Sequence, residues 1–332
     1  MFLRKKLIGP TLSLATLSLL VASPSFAGSI FDAFNSVLNS LPANSSDSYQ
    51  APPLQEQSFS RGLSTSDSSY LFSANFPSGT ALVHIQIEFS DQTKKPLSVY
   101  ASATGGNFSR RVYLPYGPGN YRIKAWYSQN PNRYQSSSEQ AYYGQVDVTN
   151  TDTRDLSYLL PSGDVQSDDP EIVALARDIT AGASSDSEKA QRIHDWITHN
   201  IAYDTDSYFR GTYKTKSVDA LTTLHEGVSI CNGYANLYAA LARASGLRTR
   251  VIIGAIIWPM LGQTWEQTGT TQTHAWNQVF IDGHWVILDS TWDSGNVDFD
   301  KRVFVRDPKL KYYDPSLNEF AKDHRQLSVS SN

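Results

Sequence analysis

The hydrophobic pattern of this 332-residue chain changes its period near Pro161, and that change limits the possible folds more than any other feature. From about residue 61 to 160, apolar and polar residues alternate in short runs such as Val83–Phe89. After Pro161, apolar residues recur every three or four positions. Alternation is typical of half-buried strands, and the longer period is typical of amphipathic helices. The sequence therefore predicts two domains, at 61–160 and 161–332.

The first of these domains is predicted to be a small β-sandwich of the immunoglobulin-like kind. Its alternating runs are separated by clusters of Gly, Pro, Asn and Asp, and they cover residues 81–89, 111–114, 121–127 and 144–148. Short strands with turn signals at this spacing are typical of sandwiches. The pattern leaves the order of the strands open.

Two capping signals predict the helices that open the second domain. Asp169 precedes Pro170, which is a preferred arrangement for the first turn of a helix. Ser185 and Glu188 have the spacing of a capping box. The polar and aromatic region from 205 to 223 is predicted to be a loop.

The first 27 residues have the pattern of a secretory signal peptide. Basic residues at 4–6 precede an apolar run at 7–22, and Ala27 ends a small-residue cleavage site. A membrane anchor is the alternative, but the run is short and Pro10 interrupts it. Residues 28–60 are rich in Ser, Pro, Asn and Gln, which predicts a flexible tether. We therefore expect a secreted protein, extracellular or periplasmic, without a transmembrane anchor.

Composition excludes several classes of function. The chain has 28 Lys and Arg against 32 Asp and Glu, so its net charge of -4 argues against a general nucleic-acid binder. It contains one cysteine, which excludes an intrachain disulfide, a four-cysteine metal site and an iron–sulfur cluster. No cofactor or metal is predicted.

That cysteine, Cys231, is predicted to lie in the first turn of a helix. Gly246 ends the helix, and the apolar residues recur with helical spacing at Tyr234, Leu237, Tyr238 and Leu241. Unpaired N–H groups and the helix dipole stabilise a thiolate at this position. Gly233 would allow the close approach of backbone or substrate. The alternative interpretation is an inert buried cysteine.

A predicted β-hairpin decides which histidine can join the cysteine. The dipeptide Asp282-Gly283 separates two alternating runs and favours a two-residue type I′ turn. In that register His274, Trp276 and Asp289 share one face, and His284 points to the other. Diagonal neighbours such as His274 and Asp289 have Cβ atoms about 7 Å apart or less. The side chains at 274 and 289 can therefore form a hydrogen bond.

Together these residues predict a Cys231-His274-Asp289 catalytic triad. The thiolate is the nucleophile, the imidazole exchanges the proton, and the carboxylate orients the imidazole. Taken alone, His274 fits a structural residue with satisfied hydrogen bonds as well as it fits a catalytic one. Taken alone, Asp289 would be interpreted as a strand-end cap or turn acid. Their joint order and geometry favour the triad.

Several segments resemble the transglutaminase-like superfamily, whose core is a papain-type fold. The resemblance covers about residues 165–325 and is densest from 227 to 293. The matching segments are 227–235, 245–247, 274–277 and 285–293, together with 168–172, 201–204 and a tail from 304–305 to 324–325. It implies an α+β domain in which the nucleophile lies at a helix N-terminus packed on an antiparallel sheet. It implies nothing firm about residues 61–160.

The resemblance also implies a reaction. Cys231 would attack an amide carbonyl to form a thioester, with His274 as general base and then acid and Asp289 as the orienting acid. The oxyanion would be held by the Cys231 N–H and a second donor, for which Tyr203 and Tyr213 are candidates. Trp276, Tyr203 and Gly233 are therefore taken as supporting residues.

Departures from the family pattern bear on the outcome of that reaction. Animal-type crosslinking enzymes carry Gln before and Trp after the cysteine, whereas this chain has Ile230 and Asn232. Hydrolysis of protein or peptide amides is therefore favoured over protein-glutamine transamidation, and cell-wall or envelope components are candidate substrates. A third possibility is a catalytically inactive binding or scaffold protein of the cell envelope. The acidic string Asp293, Asp298 and Asp300 is interpreted as a solvated loop rather than a calcium site.

Overall fold

The computed structural model describes residues 63–91, 94–103, 106–132, 139–258, 262–266 and 271–330. The predicted signal peptide, 1–27, and tether, 28–60, lie outside the described residues. All described residues belong to one compact unit. None of the helices among them is long and apolar enough to span a membrane.

The first lobe of the described chain consists of strands, as the alternation predicts. They are β1 Leu63–Thr65, β2 Ser69–Asn75, β3 Leu82–Phe89, β4 Leu97–Ser102, β5 Asn107–Tyr113, β6 Gly119–Ser128 and β7 Ala141–Asn150. One sheet has the order β1-β7-β6-β3-β4, and β2 pairs with β5 in a second. Phe72 and Val112 of the second sheet share an apolar core with Ile85 and Ile123 of the first. An immunoglobulin-like connectivity stays a prediction.

The second lobe combines helices with an antiparallel sheet. Its helices are α1 Pro170–Thr180, α2 Asp186–Asn200, α3 Thr205–Arg210, α4 Ala220–Glu226, α5 Cys231–Ala244, α6 Ser290–Ser294 and α7 Leu317–Phe320. Both predicted caps are confirmed, because Asp169 accepts a hydrogen bond from the Glu171 N–H at 2.9 Å and Ser185 accepts one from the Glu188 N–H at 3.1 Å.

The prediction of a loop at 205–223 is wrong. This region contains α3, a 3₁₀ turn at Thr212–Thr215 and the start of α4. Asp204 and Asp219 cap α3 and α4 by accepting hydrogen bonds from the N–H groups of Ser207 and Thr222. Helices this short have too few apolar positions to show a period.

The remaining strands are β8 Ala202–Tyr203, β9 Val228–Ser229, β10 Thr249–Ile256, β11 Gln272–Ile281, β12 His284–Leu288, β13 Gly295–Asp298, β14 Val303–Arg306 and β15 His324–Val329. Four of them form an antiparallel sheet in the order β12-β11-β10-β15. One face packs on α5, where the Asn277 side chain donates to the Ala235 carbonyl at 2.9 Å. The other face covers a second cluster containing Trp276, Ile287 and Phe320. The second lobe is therefore α+β, with the cysteine-bearing helix on an antiparallel sheet.

Arg243, near the end of α5, ties this helix to the segment that connects the two lobes. Its buried guanidinium donates to the carbonyls of Leu160 and Thr249 and to Ser162 Oγ, at 2.9–3.0 Å. Burial lowers the pKa of Arg243 to about 9. The hydrogen bonds compensate for the desolvation of the guanidinium, so the connecting segment is fixed against the second lobe.

Candidate active site

Cys231 is the first residue of α5, as predicted, and it lines a cleft while only 7% of its surface is exposed. The preceding residue, Ile230, makes no side-chain hydrogen bond to the first turn. The N–H groups of Gly233 and Tyr234 donate to the Ile230 carbonyl at 2.9 and 3.3 Å. The N–H groups of Cys231 and Asn232 are therefore the ones that this helix start offers to an anion beside the sulfur. The short β8–β9 pair places Tyr203 opposite Ser229, two residues before Cys231.

Gly233 allows α5 to pack closely on its neighbours. A Cβ at this position would overlap Ser229 Oγ and Thr223 Oγ1. The groups that approach Gly233 are thus side chains of β9 and α4, and not the backbone or substrate that the sequence suggested. Gly233 acts on the site indirectly, by setting the position of the first turn of α5.

The hairpin has the predicted turn and register. Asp282 and Gly283 both have positive φ, 48° and 82°, as a type I′ turn requires. Pairing continues from Ile281 opposite His284 to Asn277 opposite Leu288. His284 is exposed at the turn, while His274 is buried near the far end of β11. The register therefore selects His274 as the sequence predicted.

His274 and Asp289 are in direct contact. His274 Nε2 lies 2.7 Å from Asp289 Oδ2, and both side chains are buried. Asp289 also caps α6, since its Oδ1 accepts hydrogen bonds from the N–H groups of Thr291 at 2.9 Å and Trp292 at 3.2 Å. The two interpretations of this acid are thus compatible: it is a cap and the partner of the imidazole.

The charges of this pair follow from its surroundings. Burial alone would lower the pKa of His274, but the negative charges of Asp289 and Cys231, with hydrogen bonds to both, raise it to about 10. Burial alone would raise the pKa of Asp289, but the charge of His274 and the hydrogen bonds from His274 and His324 hold it well below its usual value. The raised pKa favours the imidazolium form of His274, which is suited to pair with a thiolate.

Two groups lie beside the cysteine side chain. Cys231 and His274 line the same cleft, and the charge of Cys231 contributes to the raised pKa of the imidazole; since Nε2 is engaged by Asp289, the ring nitrogen left to face the sulfur is Nδ1. Sγ also lies 3.5 Å from Asn232 Oδ1. This amide accepts from a thiol in one orientation and, turned by 180°, donates to a thiolate. Asn232 can therefore accompany either charge state of the sulfur.

A second histidine, to which no sequence motif assigns a role, binds the same carboxylate. His324 Nε2 lies 3.1 Å from Asp289 Oδ2, and its Nδ1 lies 2.6 Å from Asp323 Oδ1. The ring is 2% exposed, stacks on Phe320 at 4.1 Å and meets Trp292 edge-on at 4.4 Å. The sequence signal was limited to the resemblance of the tail that ends at 324–325.

Tyr312 extends these contacts toward the cleft. Its hydroxyl donates to Asp323 Oδ2 at 2.8 Å and accepts from Lys311 Nζ at 2.9 Å. Its backbone N–H donates to Asp293, which is 0% exposed and also lies 3.1 Å from His194 Nε2. The interpretation of Asp293 as part of a solvated loop is therefore wrong. The carboxylate is buried and holds the segment that carries Tyr312.

The same cluster contains a set of atoms that a metal ion could use. One ligand atom each from His274, Asp289 and His324 lie within 4.8 Å of one another. Two of the separations, 2.7 and 3.1 Å, are ordinary hydrogen-bond lengths. An ion would thus displace the hydrogen bonds that orient His274.

The cleft beside Cys231 and His274 has a volume of about 250 Å³ and a largely aromatic wall. Trp258 and Trp292 stack at 4.9 Å, and Trp292 lies 5.8 Å from His274. The charged lining residues other than His274 are Lys309 and Lys311, and no Asp or Glu is found among the described residues that line the cleft. The aromatic lining residues are Tyr203, Tyr208, Trp258, Trp292, Phe299, Phe304 and Tyr312.

The remaining residues that the sequence singled out, Tyr203, Tyr213 and Trp276, occupy different positions. Tyr203 lines the cleft. Its pKa is raised mainly by burial and also by the charge of Cys231, so its hydroxyl stays protonated and can donate a hydrogen bond. Tyr213 stacks on Tyr208 at 6.1 Å but does not line the cleft. Trp276 packs behind His274 at 6.1 Å and covers Gly254, where a Cβ would overlap its ring. Of the two tyrosines, Tyr203 is thus placed beside the nucleophile.

One family model matches the central part of the second lobe. Residues 173–290 match the family model described as the transglutaminase-like superfamily. Cys231, His274 and Asp289 fall inside the matched segment, and His324 falls outside it.

Individual relatives are more distant. Kyphoscoliosis peptidase of Mus musculus is 34% identical over 154 residues, which cover 45% of this chain and 22% of the relative. The Homo sapiens protein of that name is 33% identical over 154 residues, with the same coverage. The match thus spans about a fifth of the length of these curated relatives.

Among solved structures, a protein from Cytophaga hutchinsonii described as a proposed cysteine protease has a TM-score of 0.33. It is 18% identical, with 80% of this chain and 86% of that chain covered. Red sea bream transglutaminase has a TM-score of 0.28 and 10% identity, with 70% of this chain and 49% of that chain covered.

Proposed function

We propose that this chain, which carries a domain of the transglutaminase-like superfamily at residues 173–290, is a cysteine enzyme that acts on amide bonds of proteins or peptides. The observation that supports the proposal most directly is the arrangement around Cys231. The cysteine begins a helix and lines the same cleft as a buried histidine whose pKa is raised to about 10, and the histidine binds a buried carboxylate at 2.7 Å. Such an arrangement favours a thiolate nucleophile.

In the proposed reaction, the Cys231 thiolate attacks the carbonyl carbon of the amide. The C–N bond breaks, His274 gives its proton to the leaving nitrogen, and a thioester remains on the sulfur. His274 then takes a proton from water, the hydroxide attacks the thioester, the C–S bond breaks, and His274 is left protonated beside the released thiolate. The Cys231 N–H and the Tyr203 hydroxyl are the proposed donors to the oxyanion.

Hydrolysis is proposed over transamidation. Ile230 and Asn232 stand where animal-type crosslinking enzymes have Gln and Trp. A labelled primary amine distinguishes the two outcomes, because transamidation incorporates it into a glutamine-containing protein and hydrolysis does not. Stoichiometric incorporation at low amine concentration would favour the transamidase.

The cleft suggests which substrates are accepted. Its aromatic wall fits apolar side chains, and Lys309 and Lys311 introduce positive charge without an acidic lining residue among those described. We therefore propose peptide segments in which apolar residues are flanked by a carboxylate. Cell-wall peptides and unfolded proteins, both of which carry such groups, are the substrates to screen first.

The test of the proposed function compares Cys231→Ala with the wild type on that screen. We expect turnover to fall by at least about 10⁴-fold, because no other group can form the thioester. His284→Ala, on the exposed turn of the same hairpin, is the matched control and should retain activity. Turnover retained in the Cys231→Ala variant would exclude the proposal. If no substrate is found and Cys231 is also unreactive toward iodoacetamide, a binding or scaffold role is favoured instead.

Secretion is proposed on the basis of residues 1–27 alone. Their basic start, apolar run and Ala27 have the pattern of a cleavable signal. Expression with and without these residues, followed by cell fractionation and N-terminal sequencing, checks the proposal. Cleavage after Ala27 is the expected result.

A further inference from the structure

A continuous row of hydrogen bonds runs from His274, which lines the cleft together with Cys231, to the rim of the cleft, and it includes residues outside the triad. His274 contacts Asp289 at 2.7 Å, and His324 contacts the same carboxylate at 3.1 Å. His324 contacts Asp323 at 2.6 Å, and Asp323 accepts from the Tyr312 hydroxyl at 2.8 Å. Lys311 completes the row at the rim, 2.9 Å from that hydroxyl.

His324 is the least explained member of this row. A buried histidine that only fills space would be replaced without loss by an apolar residue, and it would not need acidic partners. Here both ring nitrogens face carboxylate oxygens, of Asp289 and Asp323. A neutral imidazole has one N–H donor, so it can satisfy only one of these contacts, whereas an imidazolium satisfies both. The geometry therefore favours a cation between the two carboxylates.

The surroundings fix this ring in place. Phe320 stacks on it, Trp292 and Tyr312 meet it at 4.4 and 5.3 Å, and its centroid lies 5.6 Å from that of His274. In so apolar an environment a charge acts strongly on its neighbours. Two acids contact the His324 ring directly: Asp289, which follows β12, and Asp323, its neighbour in the chain. Tyr312 binds Asp323 through its hydroxyl, and it also contacts Lys311 and Asp293. On β11, the His274 ring lies between His324 and the cleft that Cys231 lines.

We propose that His324 is a positioning residue of the site: it holds the Asp289 carboxylate toward His274, and its charge sets the pH range in which Cys231 is a thiolate. The proposal rests on the proposed role of Cys231 as the nucleophile. The imidazolium groups of His274 and His324 then both contact Asp289. The positive charge of each one weakens the electrostatic attraction between this carboxylate and the other. Without the second cation, the potential at His274 and Cys231 becomes more negative, which favours the protonated thiol.

The test needs no substrate, because the chain contains a single cysteine. The rate at which iodoacetamide alkylates Cys231 is measured from pH 4 to 10 in the wild type, in His324→Gln and in His284→Gln, an exposed control on the hairpin turn. We expect the half-maximal pH of alkylation to rise by about one unit in His324→Gln, as the loss of a cation about 6 Å from the His274 ring implies. The control should follow the wild-type profile.

Two further variants keep the test decisive if His324→Gln does not fold, which circular dichroism and a thermal melt would reveal. Asp323→Asn removes the outer carboxylate, so it should shift the profile in the same direction by a smaller amount. Tyr312→Phe removes only the hydroxyl that donates to Asp323, and it should shift the profile least. A profile that coincides with the wild type in all folded variants would overturn the proposal and leave His324 a structural role.

A bound metal is the competing explanation, and the same measurement addresses it. If an ion occupied His274, Asp289 and His324, EDTA would change the alkylation profile of the wild type, and this result would also overturn the proposal. The proposed enzymatic function is tested by a different measurement, the turnover of peptides. If peptide turnover is never detected but the profile shifts as expected in His324→Gln, the influence of His324 on the thiolate stands while the enzymatic role does not.

Discussion

At the scale of single residues, Asp289 joins the fold to the chemistry of the site. Its Oδ1 accepts two backbone N–H groups of α6, and its Oδ2 accepts from two histidines. An ionised carboxylate has about four lone-pair positions, and all of them are used here. The carboxylate therefore cannot rotate without breaking a helix cap. Its orientation toward His274 is as stable as the start of α6.

The raised pKa of His274 predicts how stability depends on pH. The folded-state pKa of about 10 lies above the value of about 6.5 in an unfolded chain, so the imidazolium stabilises the folded state fully below pH 6.5. This stabilisation is lost as the pH rises through 10. We expect the free energy of unfolding of the wild type to fall between pH 7 and 10.5 by on the order of 2 kcal/mol more than that of His274→Gln.

Urea denaturation at several pH values measures this difference. Lysine and tyrosine groups titrate in both proteins, so the comparison isolates the contribution of position 274. Parallel pH dependences in the wild type and His274→Gln would show that the imidazole gains no net stabilisation from Asp289 and Cys231.

At the scale of elements, the position of one helix end determines the site. Cys231 begins α5, and α5 is held between the sheet through Asn277 and the β9–α4 corner through Gly233. Since a side chain on a helix moves with its axis, a small displacement of α5 separates the sulfur from His274. Close packing at Gly233 is therefore a requirement of the site as well as of the fold.

Gly233→Ala tests this requirement. Because the added methyl group would overlap Ser229 and Thr223, we expect a loss of about 1–3 kcal/mol in the free energy of unfolding and slower alkylation of Cys231. Adding Ser229→Gly removes two of the three nearest atoms, so the double variant should recover part of both losses. An alanine at 233 that leaves stability and alkylation unchanged would show that α5 has room to adjust.

The parts of the site that the sequence predicts are those built by local interactions. The start of α5 and the hairpin that selects His274 depend on caps, turns and pairings between residues close in the chain. His324 lies 35 residues beyond Asp289 and reaches it because β15 pairs with β10. No local pattern encodes that pairing, so only the family resemblance pointed to the tail. The short helices within 205–223 were missed because their caps stabilise segments without a period.

At the scale of the whole molecule, the cleft is assembled from distant segments of the second lobe. Tyr203 follows α2, Trp258 follows β10, Trp292 lies in α6, and Lys311 follows β14. The lysines thus meet the nucleophile only after the lobe has folded. Lys309 is paired with Asp307 at 2.8 Å, whereas the contact found for Lys311 is the Tyr312 hydroxyl. The charge of Lys311 is therefore the one least neutralised by a neighbouring acid.

A pair of alkylating reagents can measure the effect of this charge. Iodoacetate carries a carboxylate and iodoacetamide does not, so the ratio of their rates at Cys231 reports the potential in the cleft, whatever the natural substrate is. We expect Lys311→Glu to lower this ratio by about fivefold at low ionic strength, and 0.5 M salt should reduce the effect. Lys95→Glu makes the same change in net charge on the exposed surface of the first lobe, and it should leave the ratio unchanged. An equal fall in both variants would mean that the ratio follows the net charge of the protein, and the proposed preference for carboxylate-bearing substrates would lose its support.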